Sequence, residues 1–501
     1  SQLYQTPDPD RSRGRSIGPD QSNGSGCTEA SDQSQVNALD QGMNFDDTIA
    51  AIATAMQPAG LGVIRVSGRD AANCVKSLFV DDSGKSGILH IPERQLVHGW
   101  IQDQDQVLDE VLLTWMKGPR SYTTEDVVEI HGHGSVLGLQ SILSLILSHG
   151  ARLARPGEFT ERAFLGGRLD LTRVEAVSDL IQANSNLALK QAAQQLRGRL
   201  YHQIEEFRNR LVDIASILEA VIEFPEEGVD FGNRNECIAK LERLYLEVER
   251  MLQSASQGRR IREGISIAII GRPNVGKSSL LNIMLKEARA IVTTVPGTTR
   301  DTIEESLQIE GLAYRLTDTA GIRESDDPVE SEGIERSRKV WQEADLTLLL
   351  LDASNALNEE DQTLLKQCDP GKTLVVANKM DLCPKKQPSW LEHLKGFEWQ
   401  PISAKMNTGI EDLKQNIHLH CGSGIEHQTE EIWLTNLRQQ EAGEKALAAL
   451  KRALTGMKEY EGEELVAVDL RSALNAFGEI VGETTSEDLL TRIFSEFCIG
   501  K

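Results

Sequence analysis

Positive charge is what this chain most conspicuously lacks. Its 501 residues carry 53 Lys and Arg against 76 Asp and Glu, a formal net charge of −23. Such a balance repels phosphate overall, which excludes a protein that grips nucleic acid mainly by bulk charge. Long apolar runs are missing too. A bilayer-spanning helix needs roughly 20 apolar residues, and the strongest run here, Leu346–Leu351, is strand-sized. The seven cysteines are odd in number and form no CxxC pair, which excludes a disulfide scaffold or a cysteine-built zinc site and suits a reducing compartment.

What remains is an ordinary globular composition, 40% hydrophobic and 26% charged, long enough for about three domains. Residues 1–44 are rich in Ser, Gln, Asp and Gly without apolar periodicity, and are expected to form a disordered tail. Asp8, Asp10, Asp20, Glu29, Asp32 and Asp40 argue against a transit peptide, so a cytoplasmic setting is expected ahead of an organelle matrix or stroma. Residues 45–164 mix short β-type runs (Gly62–Ser67, Gln95–Ile101, Val111–Met116, Asp126–His131) with a helical pattern at Ser135–Ser148, a small α/β domain. Residues 165–263 and 426–501 show helical apolar spacing, such as Leu200, Ile204, Phe207, Leu211, Ile214 and Leu218. Each stripe needs a partner, and the simplest solution packs the two stretches on each other around an insert.

That insert, residues 264–425, alternates strand and helix, with apolar strands expected at 265–270, 312–317, 346–351, 373–377 and 398–402. The pattern reads as a mostly parallel, doubly wound, Ras-like P-loop domain. Its strongest signal is Gly271-Arg-Pro-Asn-Val-Gly-Lys-Ser278, a GxxxxGK[ST] loop between the strand ISIAII and the helix SSLLNIML. Backbone N–H groups there face an anion, Lys277 reaches phosphate oxygens and Ser278 holds Mg²⁺. Asp318-Thr319-Ala320-Gly321 follows the next strand, Asn378-Lys379-Met-Asp381 a later one, and Ser403-Ala404-Lys405 the last. The Asp381 carboxylate can accept two hydrogen bonds from a guanine edge, which adenine cannot offer, so the expected nucleotide is GTP. Between P-loop and DTAG, Thr293-Thr294-Val295-Pro296-Gly297-Thr298-Thr299 reads as a switch loop, with Thr299 placed to close on Mg²⁺. Ser279 and Val275 complete the phosphate loop. Ile322 stands where a water-orienting Gln is found in Ras-type enzymes, and an acidic stretch, Glu324 to Glu335, follows it. Asn274 offers an amide oxygen beside the phosphates, a feature that also suits a monovalent cation.

Together with GVIRVSG, EDVVEIHGHG, RPGEFTERAFLGGRLDL and the terminal CIGK, these motifs resemble the MnmE (TrmE) family of tRNA modification GTPases, from about Asp47 to Lys501. The resemblance implies a folate-binding, dimerising N-terminal domain, a discontinuous helical domain and an inserted G domain. It implies a homodimer working with the flavoprotein MnmG, which uses FAD and NADH, in a heterotetramer. The pair would add an aminomethyl or carboxymethylaminomethyl group to wobble uridine, drawing on 5,10-methylene- or 5-formyl-tetrahydrofolate, with tRNA engaged through the complex. By motif, K⁺ would lie on Asn274, Thr293, Val295 and Thr298, and Mg²⁺ on Ser278 and Thr299. Glu330 would be the catalytic carboxylate, and Arg65, Glu129, Arg168 and Lys501 the folate ligands. Arg168 stands where the family usually has Lys, which keeps charge and changes donor geometry. Two other functions fit the G domain: a ribosome-assembly switch GTPase, and a folate-dependent one-carbon transferase that GTP only regulates. A folate site has no role on a ribosome, so CIGK and the N-terminal motifs speak against the first. Three features are expected to be structural. His131 and His133 read as a strand-end turn, Cys498 as a thiol near a cofactor, and Arg259–Arg262 as a solvated linker.

Overall fold

The structure is a computed structural model that describes residues 47–104, 106–223, 234–288, 305–318, 338–383, 387–422, 434–459, 462–484 and 486–501. Residues 1–44, Thr293–Thr299, Thr319–Gly321, Ile322 and Glu330 lie outside these.

The first layer is a seven-stranded sheet in the order β3-β4-β5-β6-β2-β1-β7. Its strands are β1 (Ile49–Ile52), β2 (Ala59–Ser67), β3 (Phe79–Asp81), β4 (Val97–Asp103), β5 (Gln106–Met116), β6 (Val127–Gly134) and β7 (Arg152–Leu153). Every pairing is antiparallel except β1 with β7. Helices α1 (Ala71–Lys76) and α2 (Val136–Ser148) cover one face. Ser135 caps α2 by accepting from the Gly138 N–H, and Leu139, Ile142 and Ile146 form its buried stripe. Gly62 lets α2 approach, because a Cβ there would stand 2.4 Å from Leu139.

Next come helices α3 (Glu158–Leu165), α4 (Leu171–Gln182), α5 (Asn186–Leu196), α6 (Arg199–Glu223), α7 (Arg234–Gln253) and α8 (Ala255–Glu263). After the insert follow α12 (Leu437–Glu459), α13 (Glu463–Val481) and α14 (Glu487–Ser495). Residues on both sides of the insert share one core: Leu200, Ile204 and Phe207 of α6 and Leu241 of α7 join Ala446 and Leu450 of α12 and Leu470 and Phe477 of α13. Buried Glu175 ties the two stretches again, accepting from Arg438 Nε at 2.7 Å, Gln439 at 2.7 Å and Asn436 at 3.0 Å.

The insert is a six-stranded sheet in the order β13-β12-β11-β8-β10-β9. It comprises β8 (Ile265–Ile270), β9 (Glu305–Ile309), β10 (Leu312–Asp318), β11 (Leu346–Asp352), β12 (Thr373–Asn378) and β13 (Glu398–Pro401), with helices α9 (Lys277–Ala288), α10 (Glu359–Gln367) and α11 (Ile410–Cys421). All pairings are parallel except β9 with β10, so the sheet is Ras-like, with one antiparallel edge strand. Every residue of β11 is buried, which is why its sequence is a continuous apolar run rather than an alternation.

The segment Arg259–Arg262 corrects a sequence expectation. It is the last turn of α8 rather than a solvated linker. Ile261 is buried in the core of the insert, Arg260 pairs with Asp345 at 3.0 Å, and Arg262 reaches Asp179 of α4 at 2.6 Å.

Candidate functional site

Two groups of site residues stand out. The first lies at the carboxyl ends of the parallel strands, where open α/β sheets bind ligands. The turn after β8 needs backbone that only glycine adopts easily: Gly271 has φ 147° and Gly276 φ 106°. A Cβ at Gly271 would come within 2.6 Å of the Leu350 carbonyl. Asn274 takes the left-handed φ of 63°, tolerable for an Asn, and Val275 is buried beneath the loop. Lys277 opens α9, and its Nζ donates to the carbonyls of Gly271 at 2.7 Å and Arg272 at 3.2 Å. Ser278 and Ser279 follow in the first turn, where free N–H groups and the helix dipole favour an anion. The register places Asp318 beside Ile269, at the same end of the sheet.

The base-side turn is wired to the phosphate loop. Asn378 Nδ2 donates to the Val275 carbonyl at 2.7 Å, and its Oδ1 accepts from the Ala404 N–H at 3.0 Å. Ser403 donates to Asp381 Oδ1 at 2.6 Å, fixing the carboxylate beside the turn that carries Lys405. Lys379, at φ 65°, donates to Asp352 Oδ2 at 2.8 Å. Burial pushes the Asp352 carboxyl up, but Lys379, Ser354 and Asn355 outweigh it and hold the group down at about 2. Asp352 is a residue that sequence reasoning missed; its position at the end of β11, level with Asn378 on β12, was the available signal.

The second group gathers residues from opposite ends of the chain. Arg65 and Glu129 are direct partners across β2 and β6, and their side chains meet at 2.8 Å. The Arg65 guanidinium also lies 5.1 Å from the Tyr122 ring and 5.6 Å from that of Phe159. Arg168 approaches the same tyrosine, 4.8 Å from its ring, and donates to its carbonyl at 2.9 Å. Tyr122 Oη is bonded to Thr160 at 3.0 Å. The chain end docks alongside: Ile499 bridges to Pro156, and the Phe159 N–H donates to the Lys501 carbonyl at 3.2 Å. Gly500, at φ 97°, is needed there because a Cβ would stand 2.5 Å from the Ile52 carbonyl. Burial and the charge of Arg65 lower the affinity of the Lys501 amine for its proton, with Glu129 and Cys498 opposing. Tyr122 and Phe159 were not anticipated from sequence; their signal was an aromatic inside each of the motifs SYTTED and RPGEFT.

Beneath this group lies an ionic network. Arg162, 3% exposed, donates to Glu125 at 3.1 Å and Glu158 at 3.2 Å, while Glu158 also accepts from Arg152 at 2.6 Å. His131 and His133 lie within β6, not in a turn. His131 contacts Glu129 at 3.3 Å, and His133 contacts Asp109 on β5 at 2.7 Å. Among the described residues no group of three or more His, Cys, Asp or Glu is arranged to hold a metal ion. Cys498 is exposed, and no helix among the described residues is long and apolar enough to cross a membrane.

Residues 48–168 match the family model described as the GTP-binding protein TrmE N-terminus, and residues 171–498 match that of the MnmE helical domain. The tRNA modification GTPase MnmE of Syntrophus aciditrophicus (strain SB) is 45% identical over 461 residues, covering 91% of this chain and 99% of that one. Its namesake in Clostridioides difficile (strain 630) is 42% identical over 460 residues, covering 92% of this chain and all of the relative.

Proposed function

The chain belongs to the MnmE (TrmE) family of tRNA modification GTPases, and from that premise we propose how its two sites divide the work. It is a GTPase that acts in tRNA modification. The finer reading is a potassium-stimulated enzyme that, with an MnmG-type flavoprotein carrying FAD and using NADH, adds an aminomethyl or carboxymethylaminomethyl group to C5 of wobble uridine. The one-carbon unit comes from a tetrahydrofolate. The observation that carries the folate half is that Arg65 pairs with Glu129, that Lys501 lies within electrostatic reach of both, and that Arg65 and Arg168 share the Tyr122 ring.

The residues present fit these ligands. At the second site, Glu129 presents a carboxylate to the N–H edge of a pterin, while Arg65, Arg168 and Lys501 supply donors for carboxylates. The N-terminal domain holding this site is also the proposed homodimer contact. At the first site, Gly271 to Ser279 cradle phosphates and Asp381 reads guanine, backed by Ser403, Ala404 and Lys405. Ser278, with Thr299, holds Mg²⁺. Asn274, with Thr293, Val295 and Thr298, holds K⁺, which supplies positive charge beside phosphoryl oxygens that gain negative charge as the bond breaks. Glu330 orients the attacking water, through a bridging water if it stands back from the phosphate. The reducing cytoplasm suits the six described cysteines, all unpaired.

Two measurements on the full chain test this reading. GTP turnover in KCl should exceed that in NaCl, more so with the flavoprotein present, and equal rates would remove the potassium mechanism. Titration with 5-formyl-tetrahydrofolate should show saturable binding that is lost in Glu129→Ala; no binding to the native chain would remove the folate site.

A further inference from the structure

Beyond the proposed folate ligands, two more exposed arginines lie on or against the connection that carries Tyr122. Moving outward from Glu129, the groups come in a fixed order: Arg65 at 2.8 Å, the Tyr122 ring 5.1 Å from Arg65, and the Arg168 guanidinium 4.8 Å from that ring. Exposure rises along this line, from 15% and 18% for the side chains of Arg65 and Glu129 to an exposed Arg168. Tyr122 sits on the connection between β5 and β6, which also carries exposed Arg120. Arg94, exposed as well, braces that connection by donating to the Arg120 carbonyl.

The carboxylates nearby are already engaged. Glu93 pairs with Lys117 at 3.5 Å, Asp126 accepts from the Gly118 N–H at 3.0 Å, and Glu125 is held by Arg162 at 3.1 Å. Arg94, Arg120 and Arg168 have no carboxylate in ion-pair range among the described residues. On a chain of net charge −23, three such arginines on or against one connection make a local positive field that favours an anion. An isolated charge run would read as a solvated face; here Arg120 lies two residues before Tyr122 on one connection, Arg94 donates to that connection, and Arg168 faces the tyrosine ring beside the half-buried Arg65–Glu129 pair.

We propose that this arginine rim binds the poly-γ-glutamate tail of a folate, an inference that rests on the folate reading above. With the pterin edge on Glu129, at the less exposed end of this line of groups, the opposite end of the ligand leaves past Arg168. Each added γ-linked glutamate brings one carboxylate, and the guanidinium groups of Arg168, Arg120 and Arg94 match that chemistry as planar forks. Nucleic acid is the poorer fit. Tight RNA binding takes on the order of six to ten phosphate contacts, and three arginines fall short of that footprint.

The test is titration of the full chain with monoglutamyl and pentaglutamyl 5-formyl-tetrahydrofolate. The pentaglutamate should bind about tenfold more tightly, the product of two or three exposed ion pairs, and lose that advantage at about 0.5 M salt. Arg120→Ala should shrink the advantage severalfold and Arg120→Glu should abolish it, with affinity for the monoglutamate and for GTP unchanged in both. Equal affinity of the native chain for the two folates overturns the proposal and leaves the folate site standing. Binding of neither removes the folate site and the proposal together. A tail preference that survives Arg120→Glu while tRNA binding falls would assign the rim to RNA and overturn the proposal.

Discussion

Asn378 donates its amide N–H to the carbonyl of Val275 at 2.7 Å, joining the base-side turn to the phosphate loop. The bond exists because residue 276 is glycine: a Cβ there would lie 2.3 Å from the Asn378 nitrogen. The amide oxygen accepts from Ala404, so one buried side chain holds three loops together. Two motifs about a hundred residues apart in sequence are therefore bonded to one another through a single side chain.

Removing that side chain tests the coupling. Asn378→Ala leaves a buried carbonyl and a buried N–H without partners, and each orphan costs roughly 1–3 kcal/mol. GTP and GDP affinity should fall by about ten- to a hundredfold, measured with a fluorescent nucleotide, with 5-formyl-tetrahydrofolate binding unchanged. Retained nucleotide affinity would show that the loops hold their places independently.

Deleting the last four residues should abolish folate binding and spare GTP affinity. The deletion removes Lys501, the Ile499 bridge to Pro156 and the carbonyl that receives the Phe159 N–H. Calorimetry with 5-formyl-tetrahydrofolate is the readout, and an unchanged affinity contradicts the assignment of Lys501.

Arg168 can be separated into charge and shape. Arg168→Lys keeps the charge but loses the fork that donates to the Tyr122 carbonyl while facing its ring. Folate affinity should fall only a few-fold in this variant and by about tenfold or more in Arg168→Ala. Identical losses in the two would mean that geometry, not charge, is what the ligand senses.

Legibility from sequence followed how local each feature is. The phosphate loop was readable because one turn of backbone sets its glycines and its lysine. Buried strands such as Leu346–Asp352 announced themselves as apolar runs. Strand β9, with the mixed sequence ESLQI, did not, nor did β1, whose IAAI is short and half alanine. HGHG looked like a turn because its glycines suggested one. In the sheet they serve close approach: a Cβ at Gly132 would stand 2.5 Å from Asp109, and one at Gly134 2.4 Å from the Ala59 carbonyl. Arg65, Glu129, Arg168 and Lys501 share no local pattern, so only family resemblance linked them. Tyr122, the ring that Arg65 and Arg168 share, emerged from the fold alone.

The ionic network under the second site should make stability depend on acid. Glu158 is 2% exposed and accepts from Arg152 at 2.6 Å, Arg162 at 3.2 Å and the Arg155 N–H at 2.8 Å. Burial alone would raise its pKa, but Arg152, the Arg155 N–H and Arg162 prevail and lower it from 4.5 to about 2. Between those values the unfolded chain binds the proton and the folded chain does not, so stability rises with pH across that window. The contribution is complete above the unfolded value and is lost as pH falls toward the folded one. A shift of that size corresponds to about 3 kcal/mol at neutral pH. Glu158→Gln should therefore be destabilised by about that amount at pH 7, since buried Arg162 loses the carboxylate it meets at 3.2 Å. Because protonation neutralises the native carboxylate as the substitution does, the gap between the two chains should narrow steadily below pH 4.5. Urea unfolding of both chains across the acid range measures it, and a gap that stays constant with pH would mean that Glu158 contributes through packing rather than charge.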